Sequence, residues 1–294
     1  GFFSNSVDCH STEKNRVVAL DCAITLGPRY VIDSIAFPFD SLPYEFPELK
    51  KISKSIWQSG DYYDKDKLAF IRSAMTQFSN NSGYVNFKEE HIHYYVDTAV
   101  GNNKVDLYLD IIQPVDSNYH KRYELDEIVI FPNYNSGVSS VDSTERQPIG
   151  GGLSIVETDH YISHKLLKRL ILSKTGFWYN KSNDAKTISR LLDIGLFRFV
   201  NIVNEVHDTD SVPSVRQMLL LTPEPLQSIS GEVELNNGSG NFFGTGASAS
   251  YIHRNLFGSA ERLRFTVAGQ LESQIGDGIS FINSTDVNSE LELT

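Results

Sequence analysis

Hydrophobic positions along this chain fall into two periods, and the order of those periods is itself repeated. From Tyr30 the run Y-V-I-D-S-I-A-F alternates as a strand, with Tyr30, Ile32, Ile35 and Phe37 apolar and a slip in register near Ser34. From Tyr123 the run Y-E-L-D-E-I-V-I does the same with Tyr123, Leu125, Ile128 and Ile130. Helical spacing follows in both copies: Leu49, Ile52, Ile56 and Trp57 before Gly60-Asp-Tyr-Tyr63, and Leu166, Leu167, Leu170 and Ile171 before Gly176-Phe-Trp-Tyr179. Both stops read G-x-[YW]-Y. A second amphipathic helix carries Leu68, Ile71, Met75 and Phe78 in one copy and Ala185, Ile188, Leu191 and Leu192 in the other, with Asp64 and Ser182 as expected N-caps. Gly83 and Gly195 then sit where a helix end wants a left-handed residue. Each is expected to open an aromatic-rich strand, Gly83-Tyr-Val-Asn-Phe87 and Gly195-Leu-Phe-Arg-Phe199. A last strand closes each unit: Val105, Leu107, Leu109 and Ile111 in the first, roughly Val215 to Leu221 in the second. The order is β-α-α-β-β, over residues 28–114 and 121–223.

Residues 1–27 fit only the tail of such a unit, Val18, Leu20, Cys22 and Ile24 aligning with Val105, Leu107, Leu109 and Ile111. Cys9 and Cys22 are placed in one small core across a hairpin. The expectation is two buried thiols, with a disulfide as the open alternative. Gly1-Phe2-Phe3 carries no initiator Met and no targeting signal, so the chain reads as an internal piece or a processed product. Pro132–Thr158, rich in Asn, Ser, Gly and Asp, is an insertion of the second unit and is expected to be a solvated loop.

After Thr222-Pro-Glu-Pro225 the pattern changes: residues 226–294 are glycine-rich, lack lysine and show no helical period. Leu226–Leu235, Gly244–Arg254 and Arg262–Glu272 have strand length, 10, 11 and 11 residues, against the ~9–11 that a tilted strand needs to cross a bilayer. In the third, Leu263, Phe265, Val267 and Leu271 face one side and Arg262, Arg264, Thr266, Gln270 and Glu272 the other, as lipid-out alternation demands. A soluble antiparallel sheet would alternate in the same way.

Composition narrows the partners. With 26 basic and 37 acidic residues, net −11, the chain lacks the clustered cations of a nucleic-acid binder. It has no run of 18 apolar residues for a membrane helix, a test that a transmembrane β-barrel escapes. His91, His93 and Glu89 could share a face as metal ligands, but no further Cys or His is assured nearby and no metal is expected. Gly238–Gly246 and Gly150–Gly152 read as turn glycines rather than phosphate loops, since neither is followed by G-K-[ST]. No nucleophile motif occurs, so neither a cofactor nor enzymatic activity is expected.

The repeated unit, with its G-x-[YW]-Y helix stop and G-[YL]-[VF]-x-F opening, resembles the POTRA domain, and Arg254-Asn-Leu-Phe-Gly-Ser-Ala-Glu261 resembles the first extracellular or periplasmic turn of the outer-membrane assembly-factor barrels. The family so resembled is that of BamA and TamA, with the match nearest the TamA-like proteins of the Bacteroidetes type. The resemblance implies an α+β chain: the tail of a POTRA unit at 1–27, two complete units at 28–114 and 121–223, and the first strands of a transmembrane β-barrel at 226–294. Even ~8 strands of ~10 residues exceed the 69 residues of that last part, so the barrel is expected to be incomplete and the family's late-barrel motif has no counterpart here. The implied function is assembly or translocation of outer-membrane or surface proteins, at the outer membrane of a Gram-negative bacterium with the POTRA units in the periplasm. The implied partners are unfolded clients, periplasmic accessory proteins and outer-membrane lipid. Clients would add as strands to exposed edges, at Tyr84, Val85, Phe87, Ile92 and Tyr94 in the first unit and Leu196, Phe197, Phe199 and Val200 in the second. The first barrel strand, with Ile229, Gly231, Val233 and Leu235, would act as a lateral gate. A two-partner secretion pore and a soluble POTRA-like adaptor are the alternatives.

Overall fold

The computed structural model describes residues 3–14, 17–38, 47–112, 120–135, 146–157, 160–208, 212–238, 242–276 and 278–294. They form two compact units, Gly1–Tyr123 with Trp178–Lys181, and Glu124–Phe177 with Ser182–Thr294.

The first unit opens with an antiparallel hairpin of β1 (Ser6–Lys14) and β2 (Val17–Thr25), in which Cys9 lies opposite Cys22 and the two are disulfide-bonded. The expectation of two buried thiols is corrected on both counts. The hairpin's described side chains are exposed, and β1 and β2 form a two-stranded sheet of their own. Then come β3 (Val31–Ala36), α1 (Pro47–Ile56), α2 (Lys65–Asn81), β4 (Ile92–Asp97) and β5 (Lys104–Ile111), with sheet order β3-β5-β4 and β3 parallel to β5. On β5 the alternation is complete: Val105, Leu107, Leu109 and Ile111 are buried with Leu49, Trp57, Leu68, Ile71 and Met75 of the helical layer. The Asp64 carboxylate caps α2 by accepting the Asp66 N–H at 2.9 Å.

The second unit repeats this order as β6 (Glu124–Phe131), α3 (His164–Leu170), α4 (Lys181–Asp193), β9 (Phe197–His207) and β10 (Ser214–Pro223). Between β6 and α3 lie β7 (Gln147–Gly150) and β8 (Leu153–Ile155), giving the order β7-β8-β6-β10-β9. The insertion is therefore not a loop throughout: Leu153 and Ile155 are buried, and Gly150, Gly151 and Gly152, all at positive φ, make the hairpin turn. Residues 136–145 of it lie outside the described residues. Ser182 is corrected from N-cap to second residue of α4, which starts at Lys181.

The two copies match bond for bond at the G-x-[YW]-Y stop. Gly60 N–H donates to Ile32 O (2.8 Å), Ile32 N–H to Asp61 O (2.9 Å) and Tyr63 N–H to Tyr30 O (2.9 Å). Gly176 to Leu125 (2.8 Å), Leu125 to Phe177 (2.8 Å) and Tyr179 to Tyr123 (3.0 Å) repeat them. Each opening strand also carries a bulge at an aspartate. Asp33 is skipped where Ile32 and Ser34 pair with Val105 and Asp106, and Asp126 where Leu125 and Glu127 pair with Val215 and Arg216. The bulged carboxylates reach the start of the closing strand, Asp33 to Lys104 Nζ at 2.6 Å and Asp126 to Ser214 Oγ at 2.8 Å.

After β10 the chain runs as an antiparallel meander of β11 (Gln227–Gly238), β12 (Phe242–His253), β13 (Leu263–Gly276) and β14 (Gly278–Leu293). The sequence pattern does not announce the fourth strand, since Asn, Ser, Thr and Asp interrupt its alternation. It is an open sheet of four strands. No helix of the described residues is long and apolar enough to cross a membrane, which says nothing of crossing by strands.

Candidate functional site

Two features could receive a partner: the outer strands β4 and β9, and one face of the β11–β14 meander. β4 and β9 occupy equivalent edges of their sheets. At the opposite side of the first sheet, the Gly60–Tyr63 bonds to β3 cover the edge, so β4 is the strand open to addition.

The sequence-predicted edge residues divide. Tyr84, Val85 and Phe87 are not on a strand. Tyr84 N–H bonds Ser79 O at 3.1 Å and Phe87 N–H bonds Tyr84 O at 3.2 Å, forming a turn that lets both rings, three residues apart, pack on the same core. A strand would have pointed them to opposite faces. Ile92 starts β4 but is buried, and the half-buried Tyr94 donates its hydroxyl to Leu68 O at 3.0 Å. Burial raises its pKa, with Arg72 over the ring. The exposed ring of β4 is Tyr95, directly across from Tyr108 of β5, a pair that sequence reading missed. In the second unit Leu196 and Phe197 are core residues, Val200 is half-buried, and Phe199 is 64% exposed on β9.

Behind β9 a buried polar group joins helix to sheet. Gln217 Nε2 donates to Asp184 Oδ1 (2.8 Å) and Asn204 Oδ1 (3.1 Å), and Asn204 Nδ2 donates to Asp184 Oδ2 (3.2 Å). The other face of this sheet buries Val129, Phe131, Met218 and Leu220. There Glu127 accepts from Arg146 (2.7 Å) and Arg216 (2.7 Å). Burial alone would raise the Glu127 pKa, but the two guanidiniums hold it below the ordinary carboxylate value. In the first unit burial lowers the pKa of His91 and of His120, whose rings meet edge to face at 5.3 Å.

The register of the meander sorts its residues by face. Ile229, Gly231, Val233 and Leu235 pair through Tyr251, Ala249, Ala247 and Thr245 to Phe265, Val267, Gly269 and Leu271, and the first three of these on to Leu291, Ser289 and Val287. On this face Ile229 is 82% exposed and Val233 75%, with Leu235, Phe265, Val267, Leu271, Val287 and Leu291 exposed as well. The opposite face holds Glu232, Glu234, Gln270, Asp286 and Asn288, which with Gly246, Ser248 and Ala268 line a concave space of about 200 Å³. β11, bearing the predicted gate residues, is an edge strand of this sheet.

The β12–β13 turn, Arg254–Glu261, is held against the second unit's own Tyr161–Ser163 segment. Ser163 N–H donates to Gly258 O at 2.8 Å and Asn255 Nδ2 to Tyr161 O. Glu261 closes the turn by accepting from the N–H groups of Ser259 (3.0 Å) and Phe257 (3.2 Å). Its own N–H and these two keep the carboxyl below its ordinary pKa. Burial pushes Tyr161 up to about 12 while its hydroxyl donates to Leu196 O.

The metal-ligand reading of Glu89, His91 and His93 is not assembled: His91 is buried, its Nδ1 accepting from Lys88 N–H, while His93 is exposed. A different group, Glu157, His160 and His164, does converge. The spacing E-x-x-H-x-x-x-H follows neither a strand nor a helix period throughout, so the sequence alone does not single it out.

No family model matches the chain, and no curated protein matches it. Among solved structures it is similar to POTRA domains 3–5 of BamA from Haemophilus influenzae, at 14% identity and TM-score 0.41 over 76% of this chain and 72% of that one. It is also similar to BamA from Haemophilus ducreyi lacking POTRA domains 1–3 (14%, TM-score 0.45, 83% and 43%) and to CdiB from Acinetobacter baumannii (12%, TM-score 0.38, 83% and 39%). The chain thus spans less than half the length of the last two.

Proposed function

We propose that this chain is the periplasmic arm and the opening membrane strands of an outer-membrane protein assembly factor of the TamA-like Bacteroidetes type. The observation that carries the reading is the meander β11–β14, with its apolar face in the open and its charges on the other. Each Val, Leu, Ile or Phe left in water forgoes roughly 1.5–3 kcal/mol of burial, so such a face calls for an apolar medium. Strands of 12 to 16 residues exceed the ~9–11 that cross a bilayer at a tilt. In this reading residues 226–294 begin a barrel, lipid meets Val233 and Val267, and the concave polar face lines a lumen. β11 is then the gate strand.

Residues 1–27 close a preceding POTRA unit, and 28–114 and 121–223 are complete ones. Unfolded outer-membrane or surface proteins, delivered with periplasmic accessory proteins, add as strands along β4 and β9. Main-chain pairing suits many clients because every sequence shares it. Client folding supplies the driving force.

A photo-crosslinking side chain at Phe199 or Tyr95 of the vesicle-reconstituted chain tests the reading with a urea-denatured outer-membrane β-barrel protein. Adducts are expected at both positions and not at the exposed helical Phe70. Equal adducts at all three, or none, would contradict strand addition.

A further inference from the structure

The geometry points to a zinc-class metal site on Glu157, His160 and His164, whose ion pins the segment that holds the β12–β13 turn. Glu157 Oε1 lies 2.7 Å from His164 Nε2 and 3.2 Å from His160 Nδ1. The ligand atoms of all three lie within 4.8 Å of one another. The two imidazole rings stand edge to face at 4.5 Å. The Glu157 side chain is only 6% exposed, and its buried Oε2 has no hydrogen-bond partner among the described residues. A carboxylate taken out of water with half its acceptors unused is a site in want of a cation.

No lysine or arginine among the described residues pairs with it; the partners of its Oε1 there are the two histidine rings. Two nitrogens and a carboxylate oxygen form a donor set suited to Zn²⁺, Ni²⁺ or Cu²⁺ rather than to Mg²⁺ or Ca²⁺. Around a tetrahedral zinc, with bonds of about 2.0–2.1 Å, donors stand about 3.3 Å apart. The two separations here need only a small outward movement of the His164 ring. His160, 63% exposed, gives the ion a way in and leaves a further position to water or an outside ligand.

The fold says what the ion would hold. Glu157 is the second residue after β8, next to Val156, whose N–H donates to Ile130 O, and His164 is the first residue of α3. Between them Tyr161 O and Ser163 N–H grip Asn255 and Gly258 of the turn. Binding would tie both ends of this gripping segment to one point.

The test is calorimetric titration of Zn²⁺ into the chelator-treated 294-residue chain in detergent micelles, with Co²⁺ absorption as a second readout. One saturable ion per chain and the visible bands of four-coordinate Co²⁺ are expected. His160→Ala, at an exposed position, and Glu157→Gln, which keeps the volume and an acceptor, should each weaken Zn²⁺ roughly 100-fold or more. His10→Ala, on the exposed hairpin, should not. Circular dichroism verifies that the variants are folded. Absence of saturable binding, or variants that bind as tightly as the parent, would overturn the site.

Discussion

Strands β5 and β13 carry the same alternation and end in opposite surroundings. On β5, Leu107 and Leu109 lie beneath α1 and α2 and are at most 1% exposed. On β13, Val267 and Leu271 stand in the open at about 40%. The difference lies in the intervening chain. The strands of the first unit are interleaved with two amphipathic helices that return to cover the sheet, whereas among the described residues no helix lies between β11, β12, β13 and β14. Period 2 says that one face is apolar; only the neighbouring elements say what covers it.

The largest expected contrast comes from making the same truncation in both strands. Leu109→Ala should destabilise the first unit by ~2–5 kcal/mol, read from urea unfolding followed by Trp57 and Trp178 fluorescence, since both tryptophans belong to that unit. Leu271→Ala in lipid should leave that transition unmoved. A charge sharpens the comparison: Leu271→Arg should weaken insertion into vesicles by ~2–4 kcal/mol, measured as the fraction resisting carbonate extraction, while Gln270→Arg on the polar face should cost little.

Removing the cap of α2 is a smaller break. Asp64→Ala should cost ~0.5–2 kcal/mol in the same fluorescence transition and nothing in carbonate resistance. The smallest effect is that of pH on the first unit. His91 and His120 have lowered pKa values, so the unfolded chain binds protons more readily than the folded one. Their contribution is fully present above the ordinary value of 6.5 and is lost as pH falls below it toward the folded values. Urea midpoints should therefore drop on acidification through this range, and His120→Gln should flatten the drop.

Much of this was legible because it was said twice. The slip in register near Ser34, which the structure makes a bulge at Asp33, the Asp64 cap and the glycines at 83 and 195, at φ +102° and +67°, follow from local chemistry that the repeat reinforces. The legible part stops where tertiary contacts decide. Tyr84 and Phe87 look like strand residues until the core claims both from one side of a turn. Leu153-Ser-Ile155 is too short a period to outweigh the polar run around it, yet it pairs with β6. Phe197 reads as a residue of a client-facing edge, but the first residue of β9 still belongs to the core. The Glu157, His160 and His164 cluster lies between the end of β8 and the first residue of α3, where no single period runs.

The central claim, that the apolar face of β11–β14 meets lipid, is tested most directly by a dye scan along β13. Single cysteines from Arg264 to Leu271, in a Cys9→Ser, Cys22→Ser background, would carry an environment-sensitive label in vesicles containing a lipid-borne quencher. The account predicts quenching at 265, 267, 269 and 271 and little at 264, 266, 268 and 270. Uniform quenching, or none at any position, would contradict it.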